Sequence, residues 1–70
     1  MDKELLERLE ELLLQEPERT RKIVKLRMEG YSFYEIGKCQ NISESSARVI
    51  YFRAKEKLRQ NLEKEGLGYE

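Results

Sequence analysis

Seventy residues suffice for one small domain with a single core, and 39% apolar against 40% charged residues, with one proline, favours an all-α fold with short loops. Histidine is absent and Cys39 is the only cysteine, which excludes an internal disulfide and the usual four-ligand zinc site and indicates a reducing, cytoplasmic setting without cofactors. The fourteen basic and fourteen acidic residues cancel, which taken alone argues against a nucleic-acid partner, and no apolar run reaches membrane-spanning length.

The first half of the chain predicts two helices, over residues 3–15 and 17–29. Pro17 separates them, because proline disfavours a helical residue before it and is well tolerated in a first helical turn. In the first helix, acidic residues alternate with leucines at helical spacing: Leu5, Leu6, Leu9, Leu12 and Leu13. The second helix sets four apolar residues against a basic strip: Ile23, Val24, Leu26 and Met28. Gly30 suits the left-handed residue that terminates a helix.

The second half predicts two more helices, over residues 32–40 and 43–65. Ser32 can cap the third helix, and Glu35 can complete a capping box with it. Asn41 tolerates a positive φ and so ends this helix, after which Ser43 caps the fourth. One apolar stripe follows the fourth helix at steps of three and four: Ala47, Ile50, Ala54, Leu58 and Leu62.

Two helices joined by a tight turn are typical of a helix-turn-helix, whose second helix enters the major groove of DNA. Gly37 supplies the small residue that such a pair needs for close approach. Cys39 is expected to be a small buried apolar residue of the third helix rather than a redox sensor. We therefore predict that residues 1–70 form a single helix-turn-helix DNA-binding domain.

The charges are separated along the chain, which restores a nucleic-acid partner as a possibility. Residues 1–18 have a net charge of −5, residues 19–59 of +7 and residues 60–70 of −2. A basic segment that contains the predicted helix-turn-helix is what attraction to the phosphate backbone requires.

The face of the fourth helix opposite its apolar stripe predicts contacts with base edges. Glu44 and Ser45 can form hydrogen bonds with bases, Arg48 can donate to guanine or a phosphate, and Val49 suits the methyl group of thymine. Phe52 can press on a sugar or a thymine methyl, or belong to a protein interface. The alternative is that Val49 and Phe52 pack on the first helix or are singly exposed.

From Arg19 onward the chain resembles region 4, the carboxy-terminal domain of bacterial RNA polymerase sigma factors, especially of the small extracytoplasmic-function type. The resemblance covers roughly residues 15–62 and rests on three segments in order, "EGYSFYEIG", "NISESSARV" and "RAKEKLR". It implies a four-helix domain without a wing that recognises the −35 promoter element through the helix after Ser43. It also implies attachment to the flap of the polymerase β subunit.

The resemblance also assigns roles by position. Base-edge positions fall on Glu44, Ser45, Arg48 and Val49, to which the outward face adds Phe52. Contacts to the DNA backbone fall on Arg27, Tyr34, Arg53 and Lys57, and the serines Ser43 and Ser46 serve as cap and DNA contacts. We expect an excised domain of a longer sigma factor rather than a small stand-alone relative, and no ability to open DNA.

Three other classes of function remain to be compared with this one. An enzyme is disfavoured, because no nucleophile with a base and no phosphate-binding glycine loop occurs. An output domain of a dimeric response-regulator-type transcription factor has a similar turn but not the "RAKEKL" ending. A module bound mainly by an anti-sigma factor or by polymerase would use the acidic first helix and Phe52.

Overall fold

The computed structural model describes residues 3–66, and this part of the chain is all α-helical with no strand. The helices are α1 (Lys3–Leu14), α2 (Glu18–Met28), α3 (Phe33–Gln40) and α4 (Glu44–Lys64). The all-α, four-helix prediction is confirmed for these residues, while the ends of the predicted 1–70 domain lie outside the described part. Within residues 3–66, no helix has both the length and the apolar character that a membrane crossing requires.

Arg21 stabilises the turn between α1 and α2 through hydrogen bonds to backbone carbonyl groups. Pro17 precedes α2 with φ −57° and ψ 154°, so the helix begins at Glu18, one residue later than predicted. The Arg21 guanidinium donates hydrogen bonds to the carbonyl oxygens of Leu14 at 3.4 Å and Glu16 at 2.9 Å. These carbonyls lie where α1 has ended and lack helical partners, so Arg21 satisfies part of that end.

The start of α3 is the predicted capping box. The Ser32 hydroxyl accepts a hydrogen bond from the Glu35 amide at 3.1 Å, and the Glu35 carboxylate accepts one from the Ser32 amide at 2.9 Å. Hydrogen bonding to the carboxylate from the Ser32 backbone amide, and next from the Ser32 side chain, holds the pKa of the Glu35 carboxyl below its usual range. The entry of the chain into α3 is therefore fixed by local interactions.

The junction between α3 and α4 is set by backbone geometry. Asn41 adopts the predicted left-handed conformation, with φ 59° and ψ 43°. Gly37 lies so close to the turn that a Cβ atom there would be 2.8 Å from the carbonyl oxygen of Ile42. The Ser43 hydroxyl then accepts a hydrogen bond from the Ser46 amide at 3.0 Å and caps α4. Both expectations for this turn, a small residue and a positive φ, are confirmed.

The core lies where α2, α3 and α4 meet. Its centre consists of three fully buried side chains, one from each helix: Ile23, Ile36 and Ala47. Partly buried residues pack around it: Leu26, Phe33, Ile42, Ile50 and Tyr51. Helix α1 packs instead against α4, and Leu12 and Leu62 are the buried leucines of those two helices.

Three expectations about burial are wrong, and the first concerns Leu6, which is 37% exposed although it belongs to the predicted apolar face of α1. Cys39 is exposed, because α3 turns Ile36 and Gly37 into the core and Cys39, on the Ile36 side and away from Gly37, lies on the flank of that buried face. Met28 is 66% exposed, because it is the last residue of α2, beyond the part of that helix that buries Ile23 and Val24.

Candidate nucleic-acid interface

The outward face of the first half of α4 carries all five predicted base-contacting residues, and all are exposed: Glu44, Ser45, Arg48, Val49 and Phe52. The apolar stripe of the same helix faces inward, with Ala47 and Ala54 buried. Val49 and Phe52 are 46% and 50% exposed, so two large apolar side chains lie beside the polar residues of this face. The structure thus brings this predicted set together on one accessible surface.

Glu44 and Arg48 form an ion pair on this surface. The Arg48 guanidinium donates to the Glu44 carboxylate at 2.8 Å, and the two side chains are 51% and 47% exposed. The glutamate lies four residues before the arginine, which is the favourable order on a helix. A strong hydrogen-bond acceptor and a multiple donor are therefore presented side by side, as direct contact with base edges requires.

Phe52 belongs to a small aromatic cluster. Its ring centroid lies 6.0 Å from that of Phe33 and 5.3 Å from that of Tyr51, and the Phe33 and Tyr51 centroids are 5.5 Å apart. These are ordinary distances for favourable aromatic pairs. Phe52 therefore packs on Phe33 of α3 and Tyr51 of α4, and it neither packs on the first helix nor is singly exposed.

Two arginines lie over one ring of this cluster. The guanidinium carbon of Arg27 is 4.5 Å from the Phe33 centroid, and that of Arg48 is 5.1 Å from it. Arg27 also donates to the carbonyl oxygen of Tyr31 at 2.9 Å. Arg27 of α2, a predicted contact to the DNA backbone, and Arg48 of α4, a predicted contact to a base, therefore lie over the same ring, that of the first residue of α3.

The remaining predicted DNA-backbone residues flank this face. Tyr34 on α3 is 57% exposed, and its ring centroid lies 5.2 Å from the ammonium nitrogen of Lys38. Ser43 and Ser46 are exposed, but their hydroxyls are joined at 2.9 Å. Arg53 and Lys57 lie on the other flank of α4, beside Glu16 and Thr20.

Lys57 has an acidic partner within the chain. Its ammonium group is 2.9 Å from the Glu16 carboxylate, whose side chain is 11% exposed while that of Lys57 is 65% exposed. A phosphate that contacts Lys57 must therefore compete with Glu16 or share the lysine with it.

An acidic side chain, Glu56, follows Phe52 on the outward face of α4. Glu56 follows Phe52 by about one helical turn on the same face and pairs with Arg59, which also contacts Glu63 at 2.7 Å. The hydrogen bond from Arg59 holds the pKa of the Glu56 carboxyl below its usual range. Glu56 thus places one paired acidic side chain on this face just beyond Phe52, while Arg53 and Lys57 continue the basic flank of α4.

Sequence patterns did not identify two residues that shape this interface, Phe33 and Glu16. Phe33 follows the capping serine, and nothing in its local pattern indicates that arginines from two other helices lie over its ring. Glu16 appeared as one more acid of the first segment. Their partners are distant in the chain, so only the packing of the helices reveals them.

A family model described as Sigma-70, region 4 matches residues 4–58, well over half of the chain. The match includes α1, whereas the resemblance found in the sequence begins at about residue 15. Searches of curated proteins and of solved structures give no significant match. Region 4 is a DNA-binding family of transcription initiation and not an enzyme family, and its members interact with DNA and RNA polymerase.

Proposed function

The chain belongs to the Sigma-70 region 4 family, and we propose that it binds the −35 promoter element in the cytoplasm as one helix-turn-helix domain of an extracytoplasmic-function-type sigma factor. In this proposal α4 enters the major groove, and the domain is held at the same time on the flap of the polymerase β subunit. It needs no cofactor and carries out no chemical step.

The observation that carries the proposal is the rigid junction between α3 and α4. The left-handed Asn41 and the close approach at Gly37 fix the angle between the helices, and the Ser43 cap fixes the start of α4. A rigid pair of this kind can place the exposed first half of α4 in a groove while α3 crosses the backbone.

We assign the base contacts to the outward face of α4. Arg48 suits the two acceptors of guanine, while Glu44 suits the amino group of cytosine. Ser45 can donate or accept, and Val49 and Phe52 suit thymine methyl groups or sugars. The exposure of both side chains supports this assignment, although bases must displace or share the Glu44–Arg48 ion pair.

We assign the phosphate contacts to residues on both sides of that face: Arg27, Tyr34, Ser43, Ser46, Arg53 and Lys57. Their placement supports the assignment, since Arg27 and Tyr34 come from α2 and α3 while Arg53 and Lys57 come from the far flank of α4. Such contacts orient a protein on a duplex and carry no sequence information themselves.

The test is fluorescence anisotropy against a selected and sequenced pool of duplexes at two salt concentrations. We expect one enriched motif and a log–log salt slope of about −3 to −4, which corresponds to about four phosphates neutralised. Arg48→Ala should weaken the preference for that motif by about 1–3 kcal/mol, whereas Lys57→Ala should weaken binding to all duplexes alike. An unchanged preference in Arg48→Ala would show that α4 does not dock as proposed.

A second candidate is an anti-sigma factor that covers the same face, favoured by the half-exposed Val49 and Phe52. Phe52→Ala should then weaken binding of the protein partner and spare DNA; loss of DNA binding alone would contradict this candidate. The family match does not favour a dimeric response-regulator-type factor.

A further inference from the structure

We propose that Phe33 is a positioning residue for sequence recognition, whose ring holds the Arg48 guanidinium in the orientation that contacts a base edge. The inference rests on the proposed function, because it concerns how the DNA-contacting arginine is held. It adds to the interface a residue that touches no base.

The first observation is that Phe33 brings together two positive charges from different helices. The guanidinium carbons of Arg27 and Arg48 lie 4.5 Å and 5.1 Å from its ring centroid. Their separation does not exceed the Debye length of about 10 Å at 0.1 M salt, so the two cations still repel each other, although salt screens part of the repulsion. The negative face of the ring offsets this repulsion and holds both near one point.

The second observation is that the other support of Arg48 is one that a base must displace or share. Glu44 bonds to the donor edge of the guanidinium at 2.8 Å, and guanine would use that same kind of edge. A ring contacts the guanidinium over its face and leaves the N–H donors free. Phe33 is thus the support that remains when Arg48 donates to DNA.

The third observation is that Phe33 itself is held firmly. It is the first residue of α3, directly after the capping box at Ser32, so its backbone is fixed by two hydrogen bonds of its neighbours. Its ring packs against Tyr51 and Phe52 and against the buried core. Because the ring is fixed to α3, it can hold the Arg48 side chain of α4 at a defined position relative to α3.

Arg27 depends less on the ring than Arg48 does. Its guanidinium keeps a hydrogen bond to the Tyr31 carbonyl at 2.9 Å, and a phosphate contact tolerates more variation than a base contact. Loss of the ring should therefore reduce sequence preference more than it reduces general affinity for DNA. A residue that merely stabilised the fold would reduce both together.

The experiment compares Phe33→Leu with a synthetic chain carrying 3,4,5-trifluorophenylalanine at position 33. Leucine removes the ring, whereas fluorination keeps its shape and weakens the negative charge of its face. Both should lower the ratio of affinities for the selected motif and a scrambled duplex by about 2- to 5-fold, the equivalent of one exposed cation–π contact. Affinity for the scrambled duplex should change less than that ratio.

Two controls separate this effect from general damage. Tyr51→Phe removes only a hydroxyl from a ring that packs on Phe33, and within residues 3–66 no cation lies over that ring, so it should leave the ratio unchanged. Thermal unfolding of each variant reports on the fold, and the fluorinated chain guards against a leucine variant that unfolds. In an Arg48→Ala background, Phe33→Leu should have no further effect on the ratio.

The outcomes distinguish the two proposals. A wild-type chain that prefers no duplex would overturn the −35 proposal and this inference with it. A wild-type preference that persists in both Phe33 variants, or that falls in Phe33→Leu equally with and without Arg48, would overturn this inference alone. A loss of preference in both variants that disappears in the Arg48→Ala background would establish Phe33 as the positioning residue.

Discussion

The two ends of α4 are held to the rest of the chain by different forces. Its first half packs on α2 and α3 through fully buried side chains, among them Ile36 and Ala47, and through the close backbone approach at Gly37. Its second half is joined to α1, where the Arg8 guanidinium donates two hydrogen bonds of 2.6 Å to the Glu65 carboxylate. Both ends bury apolar side chains, with Leu12 and Leu62 at the α1 end, but the close backbone approach belongs to the first half and the Arg8–Glu65 ion pair to the second.

This difference indicates which contacts can weaken without loss of the proposed function. Apolar packing is not screened by salt, so the helix-turn-helix keeps its geometry in the salt range over which DNA binding varies. Ion pairs that are about a third exposed contribute modestly and weaken as salt rises. Raised salt should therefore weaken the Arg8–Glu65 pair, while the buried Leu12 and Leu62 at that end and the DNA-facing end remain packed.

The largest expected effect comes from the core of the helix-turn-helix. Ile36→Ala should destabilise the fold by about 2–5 kcal/mol, because it leaves a cavity among residues that have no exposed surface. Leu14→Ala is the control for an exposed leucine and should stay within about 0.5 kcal/mol, because Leu14 is 71% exposed. Urea unfolding of both variants measures this; equal losses would show that burial does not account for the effect at Ile36.

A smaller effect is expected where α3 and α4 approach each other. Gly37→Ala gains about 1 kcal/mol in helix propensity. It also places a methyl group against the backbone oxygen of Ile42, which cannot move aside cheaply, and overpacking costs about 1–3 kcal/mol. We expect net destabilisation and a loss of duplex preference. Cys39→Ala in the same helix is the control, since Cys39 is exposed; a more stable Gly37→Ala chain would show that the turn adapts.

The smallest effect belongs to the α1 end and depends on salt and pH. Arg8 holds the pKa of the Glu65 carboxyl below its usual range, so the pair stabilises the fold above the unfolded pKa of about 4.3. That contribution is lost as pH falls from the unfolded pKa through the lower, folded pKa, because in this interval the unfolded chain binds more protons than the folded one. A double-mutant cycle of Arg8→Gln and Glu65→Gln should show coupling at pH 7 in low salt. Coupling that persists unchanged in 1 M salt, where the Debye length is about 3 Å, would contradict this account.

The capping box at Ser32, the left-handed Asn41 and the cap at Ser43 were predicted from the sequence because each depends on residues within a few positions. The apolar stripe of α4 was equally accessible, since it continues for several turns and its periodicity is clear. Helix α3 has eight residues, and its burial pattern was misjudged at Cys39. A helix this short offers few turns from which to decide which flank faces the core.

The sequence by itself determined the all-α class, the order of the helices and the turn that joins α3 to α4, because propensities, caps and periodicity are local properties. It also gave the set of exposed residues on the outward face of α4. Only the tertiary structure decided that Arg27 and Arg48 share the Phe33 ring and that Lys57 pairs with Glu16. These contacts join side chains far apart in the chain, and they depend on how the helices pack rather than on any local pattern.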